Sequence, residues 1–342
     1  MTERAGRYGA VLLRTYGIVL AFVVLVSVVA ASSPGFATQT NIFNLFSQWA
    51  PAGVMAAAMT FVIIAGGFDL SIAAGFSLCA VTAAAVGQTE DPAVAFLAAL
   101  AVGLAIGLVN GVLVAGAKIN PFITTVGTGF ILNGIALVAT GNIAYIVDNP
   151  DFGTIGAGRW HGFPYSGMML VACLCAGGLV LARTVYGQAV YAVGGNAEAS
   201  RLSGIRVGAT IGSTYVLSGL SMGVAGSITA SQLSSAQANI NPDIVFDVIT
   251  IVVVGGTSLT GGVGSMWRTA IGLGIIATIS NAFSLADVNP SYQDIVKGSI
   301  IIGALALDAT MRRWAGRARP GWATRAPPRP SGRLPIAGDR DP

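Results

Sequence analysis

The sequence predicts an all-α fold, a polytopic bundle of about ten transmembrane helices, and three observations lead there. Hydrophobic residues make up 54% of the 342 and charged residues 9%, with a mean hydropathy of +0.74, far from the quarter-charged balance of soluble domains. Apolar runs such as 18–31, 93–115 and 270–283 recur along the chain, and about 20 such residues cover the ~30 Å of a bilayer core. These runs are apolar on every face, where a barrel would alternate with period two. The 46 glycines suit close helix packing in lipid.

Arg4, Arg7 and Arg14 precede the first run and Ala30-Ala31-Ser32 follows it. Its length is that of a span rather than of a signal core, so it reads as a signal anchor with the amino end in the cytoplasm. Spans then fall near 15–32, 46–65, 68–87, 92–115, 121–141, 167–182, 208–231, 246–259, 269–285 and 295–310, with both termini inside. An eight-span alternative makes the weak segments re-entrant, namely 46–65 with its Gly66-Gly67 break and the short run after Pro242. Cytoplasmic loops should carry the Lys and Arg. Lys118, Arg183, Arg201, Arg206, Arg268 and the arginines from Arg312 onward all fall inside, while Glu90, Asp91, Asp148, Asp151, Asp243, Asp287 and Asp294 collect outside with Arg159 and Lys297.

Three regions result: a cytoplasmic segment 1–14, a transmembrane domain 15–310 with a cytoplasmic loop at 183–207, and a basic Pro/Gly-rich tail 311–342 without apolar periodicity, expected to be disordered. The net charge of +4 sits in that tail. Juxtamembrane arginines enforce topology and contact anionic lipid, so nucleic acid is not an expected partner. Cys79, Cys173 and Cys175 lie within spans and read as packing residues; His161, the single histidine, is no metal site, and no metal is expected.

No catalytic constellation appears: there is no HExxH, no Ser/His/acid set and no zinc spacing. The segment containing Gly255, Gly256, Thr257, Ser258, Gly261, Gly262 and Gly264 lacks the lysine of a phosphate-binding loop. If the protein uses ATP, another chain binds it. Asp69, at a helix break, is expected to cap the next helix, with a direct solute or proton role as the alternative. Asp308 reads as interfacial.

The stretch 187–206 reads as a long polar loop in an apolar chain. Gly194-Gly195-Asn196 looks like a turn, Asn196 an N-cap for the helix begun by Ala197-Glu198-Ala199, and Gly204 a C′ stop. Glu198 and Arg201 at i, i+3, with Leu202 nearby, make a short helix able to fit a groove on a partner; a plain solvated connector is the alternative.

Five ordered motifs between about 45 and 310 resemble the inner-membrane permease subunits of bacterial ATP-binding-cassette importers of the ribose, xylose and galactose type. Gly66-Gly67-Phe68-Asp69-Leu70-Ser71 is similar to GG[IF]DLS. Asn110-Gly111 with Ile119-Asn120-Pro121-Phe122-Ile123-Thr124-Thr125 is similar to the NG…PFIxTL segment. The stretches 194–205 and 254–264 resemble GGNxxAARLSGI and GGTSLxGGxG, and Lys297-Gly298 with 300–308 resembles the closing KG…ILAVxxD helix. Ser200 stands where a second Ala is usual, and Val126 where Leu is.

The resemblance implies an inner-membrane permease that pairs with a second copy or paralogue, rests on cytosolic ATPase subunits that use ATP and Mg, and receives solute from a periplasmic sugar-binding protein. Gly195, Asn196, Glu198, Ala199, Arg201, Leu202, Gly204 and Ile205 then form the helix that couples to the ATPase. Alternating access would carry a neutral sugar past a pathway for which Asp69, Ser71, Asn110, Phe122, Thr124, Thr125 and Asn133 are candidates. The rival reading is a secondary transporter or channel with Asp69 as its ion site, set against by the scarcity of other intramembrane acids.

Overall fold

The computed structural model describes residues 2–239, 241–289, 291–300, 302, 303 and 306. Helix α1 (Thr2–Ser32) is followed by α2 (Gln39–Ile64), whose N-cap Thr38 accepts the Asn41 N–H and which is buried from Trp49 to Ile64. The chain breaks at Gly66 (φ +87°) and resumes as α3 (Ile72–Gly87). Asp91 caps α4 (Pro92–Gly111), with Pro at N1, and the helix widens into a π turn at Val112–Gly116. Asn120 caps α5 (Pro121–Thr140), which left-handed Gly141 ends.

The segment between α5 and the next long helix carries a 3₁₀ turn (Pro150–Gly153), a single turn α6 (Thr154–Ala157) and short strands. Strand β1 (Tyr145–Ile146) pairs antiparallel with β4 (Ser235–Ala236), and β2 (Arg159–Trp160) with β3 (Phe163–Pro164). The β2–β3 turn is His161-Gly162, both at positive φ. Then follow α7 (Tyr165–Arg183), α8 (Val185–Gly195), α9 (Ala197–Leu202), α10 (Val207–Leu233), α11 (Ile244–Val254), α12 (Met266–Leu285) and a helical stretch over 291–300.

Helix α10 lies at the centre, against α4, α3 and α2, while α2 also meets α7, α11 and α12. Glycines four residues apart zip α4 to α10. A Cβ on Gly103 would lie 2.2 Å from the Gly219 carbonyl oxygen, one on Gly219 2.1 Å from that of Gly103, and one on Gly107 2.5 Å from that of Tyr215. Small residues allow this approach in lipid, where dispersion rather than the hydrophobic effect joins helices. On the periphery, Leu97, Leu104 and Leu108 of α4 and Phe130, Ile131 and Val138 of α5 are exposed apolar side chains.

Among the described residues, six helices are long and apolar enough to cross a membrane (α2, α4 with its π turn, α5, α7, α10 and α12), and 16–32, α3 and α11 are shorter apolar helices. Several boundaries differ from the sequence reading. Helix α1 begins at Thr2, inside the expected cytoplasmic segment. The span expected at 68–87 becomes helical only at Ile72, because 66–71 is the break itself. The span expected at 246–259 ends at Val254, since Gly255-Gly256, the latter at φ +82°, turns the chain. Asp308 and the tail 311–342 lie outside the described residues.

Candidate functional site

Polar groups gather at both ends of α10 and at its middle. At its first end, Thr184 caps α8 by accepting the Gly187 N–H at 3.0 Å. The stretch expected to be loop up to a turn at Gly194 is instead helix through Gly195: its apolar residues Val190 and Val193 are buried, and tertiary contact holds a Gly-ended helix that local propensity alone would not. Asn196 is extended, and its side chain accepts the Ala199 N–H at 2.9 Å, starting α9 as expected. Gly204 (φ +83°) stops it, with the Ile205 N–H bonded to the Ser200 carbonyl at 3.0 Å, a Schellman closure.

Helix α9 presents Glu198 and Arg201, joined by hydrogen bonds of 2.6 and 3.0 Å, and Leu202, 75% exposed. The Arg201 guanidinium holds the Glu198 carboxyl below its usual range. Gly195, Asn196, Ala199 and Gly204 are exposed as well, and Ile205 is half-buried. Of the eight residues expected to face a partner, seven are thus exposed.

Directly behind α9, three glycine segments meet backbone to backbone. The Gly262 N–H donates to the Ile64 carbonyl at 2.8 Å. A Cβ on Gly194 would lie 1.7 Å from that same oxygen and 2.7 Å from the Gly262 nitrogen; one on Gly261 would lie 2.8 Å from the Gly194 oxygen and 3.0 Å from Gly66 Cα. Tyr191 donates to the Gly264 carbonyl at 2.8 Å. Gly255 packs on Arg268 backbone, Gly256 takes positive φ, and the Ser258 N–H bonds the Val263 carbonyl; Thr257 is buried. The glycine-rich segment, which lacks the lysine of a phosphate-binding loop, is a packing joint between the end of α2 and the end of α8.

Four residues after Ile64 the break enters a buried network. Asp69, 1% exposed, accepts the Ser71 N–H at 3.1 Å and hydroxyl at 2.5 Å on one oxygen, and the Ser218 hydroxyl at 2.7 Å on the other. Asn110 donates to Ser71 Oγ at 2.9 Å, and Tyr215 to the Phe68 carbonyl at 3.1 Å. Asp69 does not cap α3 as expected: the N–H it accepts is that of Ser71, the N-cap residue ahead of the helix, which has no side-chain cap bond, and its carboxylate mainly ties the break to α10 through hydroxyls. Thr125 hydrogen-bonds Pro121 and reaches Phe68, and Thr124 is buried beside it in sequence. Phe122 is 57% exposed. Asn133 donates to Asn239 at 3.0 Å and lines a separate cavity of about 290 Å³ with Leu70, Val126 and Phe130.

At the other end of α10, a polar cavity of about 330 Å³ opens between α2, α10, α11, α12 and residue 297, lined by Gln48, Trp49, Gln232, Asn241, Asp247 and Lys297 among others. Lys297 Nζ pairs with Asp247 Oδ1 at 2.7 Å.

Residues 41–305 match a family described as the branched-chain amino acid transport system permease component. The chain belongs to this permease family. It is 38% identical over 294 residues to the ribose import permease protein RbsC of Escherichia coli K12, covering 84% of this chain and 92% of that protein. It is 37% identical over 294 residues to the L-arabinose transport system permease protein AraH of the same strain (86% and 90%), and 37% over 292 residues to RbsC of Bacillus subtilis (84% and 91%). No solved structure matches.

In the permease, the sequence reading overlooked Trp49, Gln232 and Asp247. Asp247 was detectable: it is an acid inside the expected span 246–259, and an intramembrane carboxylate is a functional candidate by default. Its partner Lys297 stands in the closing motif. Trp49 and Gln232 carry no such signal, because a lone Trp or Gln near a span end is ordinary.

Proposed function

We propose that this multi-pass inner-membrane permease is the translocating subunit of an ATP-driven importer for a neutral sugar. Support comes from its relatives, named for ribose import and L-arabinose transport and matched over nine-tenths of their length; one further relative, 32% identical, is an L-arabinose ABC transporter permease. The observation that carries the mechanism is the exposed α9 seated on the Gly194 junction. A cytosolic ATPase subunit using ATP and Mg grips Glu198, Arg201 and Leu202; displacement of α8 presses through Gly194 on Ile64 and Gly262, moving the end of α2 and the glycine-rich segment together. Backbone in contact with backbone has no side-chain slack to absorb that motion.

In this reading the bundle has about ten spans with both termini cytoplasmic, pairs with a second permease copy or paralogue, and takes solute from a periplasmic sugar-binding protein. The Asp69 network, sealed among Ser71, Asn110 and Ser218, holds the α2–α3 break, and Phe122, Thr124, Thr125 and Asn133 on α5 are the pathway residues beside it. The test is co-purification with a co-expressed ATPase, followed by assay of ATP hydrolysis with a sugar-loaded binding protein. Stimulation by the loaded protein is expected; a chain that purifies alone and carries solute by gradient-driven flux would overturn the reading.

A further inference from the structure

The polar cavity beside Trp49 lies at the end of the bundle remote from α9, and neither the coupling face nor the glycine junction uses it. We infer that it is a binding site for one neutral monosaccharide inside the permease itself, an inference that rests on the sugar-import reading. Its volume of about 330 Å³ is at the small end of the ~300–1,000 Å³ range of ligand sites. At a liquid share of about 30 Å³ per water it holds on the order of ten waters, or one pentose or hexose with a few waters left.

Its lining has the chemistry of sugar recognition. Trp49 is only 7% exposed, yet its indole Nε1 has no hydrogen-bond partner among the described residues. A buried N–H without an acceptor is rare and calls for a ligand or water. The indole and the Phe76 ring, both largely covered, form the apolar part of the cavity wall, and the indole adds a polar edge for hydroxyls. Gln232 donates its amide nitrogen to the Ser47 carbonyl at 3.0 Å and hydroxyl at 3.1 Å, so what it offers a ligand is its acceptor oxygen, held in place. Gln48 and Asn241 add further amides.

The Asp247–Lys297 pair decides the charge class. At 2.7 Å the pair is closed and sums to zero, and Asp243 and Asp294, close enough to act on Asp247, add negative charge, so the cavity disfavours anions, while the remaining carboxylate oxygen and ammonium hydrogens suit hydroxyls that both donate and accept. An amino acid zwitterion would have to break the pair to use it, at the cost of parting two desolvated charges. The family description names amino acids, and this geometry sets the present member apart toward polyhydroxylated solutes.

The test is tryptophan fluorescence of the full-length permease, co-purified with its ATPase in lipid nanodiscs and titrated with D-ribose, L-arabinose and L-leucine. At least one sugar is expected to give a saturable change at millimolar concentration, lost in Trp49→Phe, with L-leucine giving none. Should Trp49→Phe fail to assemble, Gln48→Leu takes its place, with the sugar midpoint expected to rise about fivefold, the worth of one hydrogen bond. Three results would overturn the site: a flat sugar titration up to about 100 mM, far above millimolar affinity; a sugar response that survives Trp49→Phe or an unchanged midpoint in Gln48→Leu; or a response to L-leucine. The import reading is judged separately. ATP-dependent uptake of a sugar by the wild type with a flat titration condemns the cavity alone, whereas absent uptake condemns the import reading.

Discussion

The α4–α10 seam and the Gly194 junction are both built from glycine backbones in contact, yet they do opposite things. In the seam, Gly103, Gly107, Gly219 and Gly223 repeat the contact at every turn along two long helices, so any sliding breaks several contacts at once. At the junction, three chain ends meet once, joined by the Gly262-to-Ile64 hydrogen bond and flanked by side chains of α2 and α8 packed together, Phe61 on Tyr186 among them. In the proposed mechanism this joint passes a push from α8 to α2, and the contrast separates a rigid body from the joint through which it is driven.

The sharpest way to break that contrast is to crowd each contact in turn. Gly194→Val forces side-chain atoms where even a Cβ lies 1.7 Å from the Ile64 oxygen. We expect membrane insertion to persist and ATP-dependent uptake to fall at least about tenfold, because the backbone must shift. Gly17→Ala, which meets nothing within 4 Å and lies in neither contact, should match the wild type in the same uptake assay. If Gly194→Val transports normally, the junction is no joint.

Crowding the seam should act on stability rather than coupling. Gly219→Ala sets a Cβ 2.1 Å from the Gly103 oxygen, an overpacking cost of about 1–3 kcal/mol. A thermal-unfolding assay of the detergent-purified complex should show a lower Tm with ATP hydrolysis per transported solute unchanged; uncoupling with an unchanged Tm would reverse the roles of seam and junction.

Asp69 lies next to both regions, and Asp69→Asn tests whether it is structure or ion site. The amide keeps an oxygen for the Ser71 N–H and hydroxyl, and the Ser218 hydroxyl can turn to accept from its nitrogen, so uptake should drop less than about threefold. Complete loss, with flux following a proton or sodium gradient, would restore the secondary-transporter reading.

The smallest effect concerns the exposed Glu198–Arg201 pair. Its carboxyl lies below the ordinary 4.5 in the folded chain, so its contribution is in place above that value and fades only as pH falls through the lowered one. ATPase stimulation should therefore stay flat with respect to this pair from about pH 6 to 8, and Glu198→Gln should not introduce a new pH dependence there. A transition in that window abolished by Glu198→Gln would show that docking shifts the carboxyl upward.

What the sequence determined by itself was whatever depends on composition or on bonds only a few residues long. Uniformly apolar runs with few charges impose helices that satisfy their own backbone in lipid, and the caps at Asp91, Asn120, Asn196 and Gly204 close over two to five residues. The ordered motifs also carried the family. Tertiary structure alone decided that Gly66, Gly194 and Gly261 meet, that Asp69 bonds a serine 149 residues away, and that Trp49, Gln232 and the Asp247–Lys297 pair share one cavity. A span apolar on every side has no polar face to mark its neighbours, and a glycine has no side chain to show what it touches, so only packing chooses the partners.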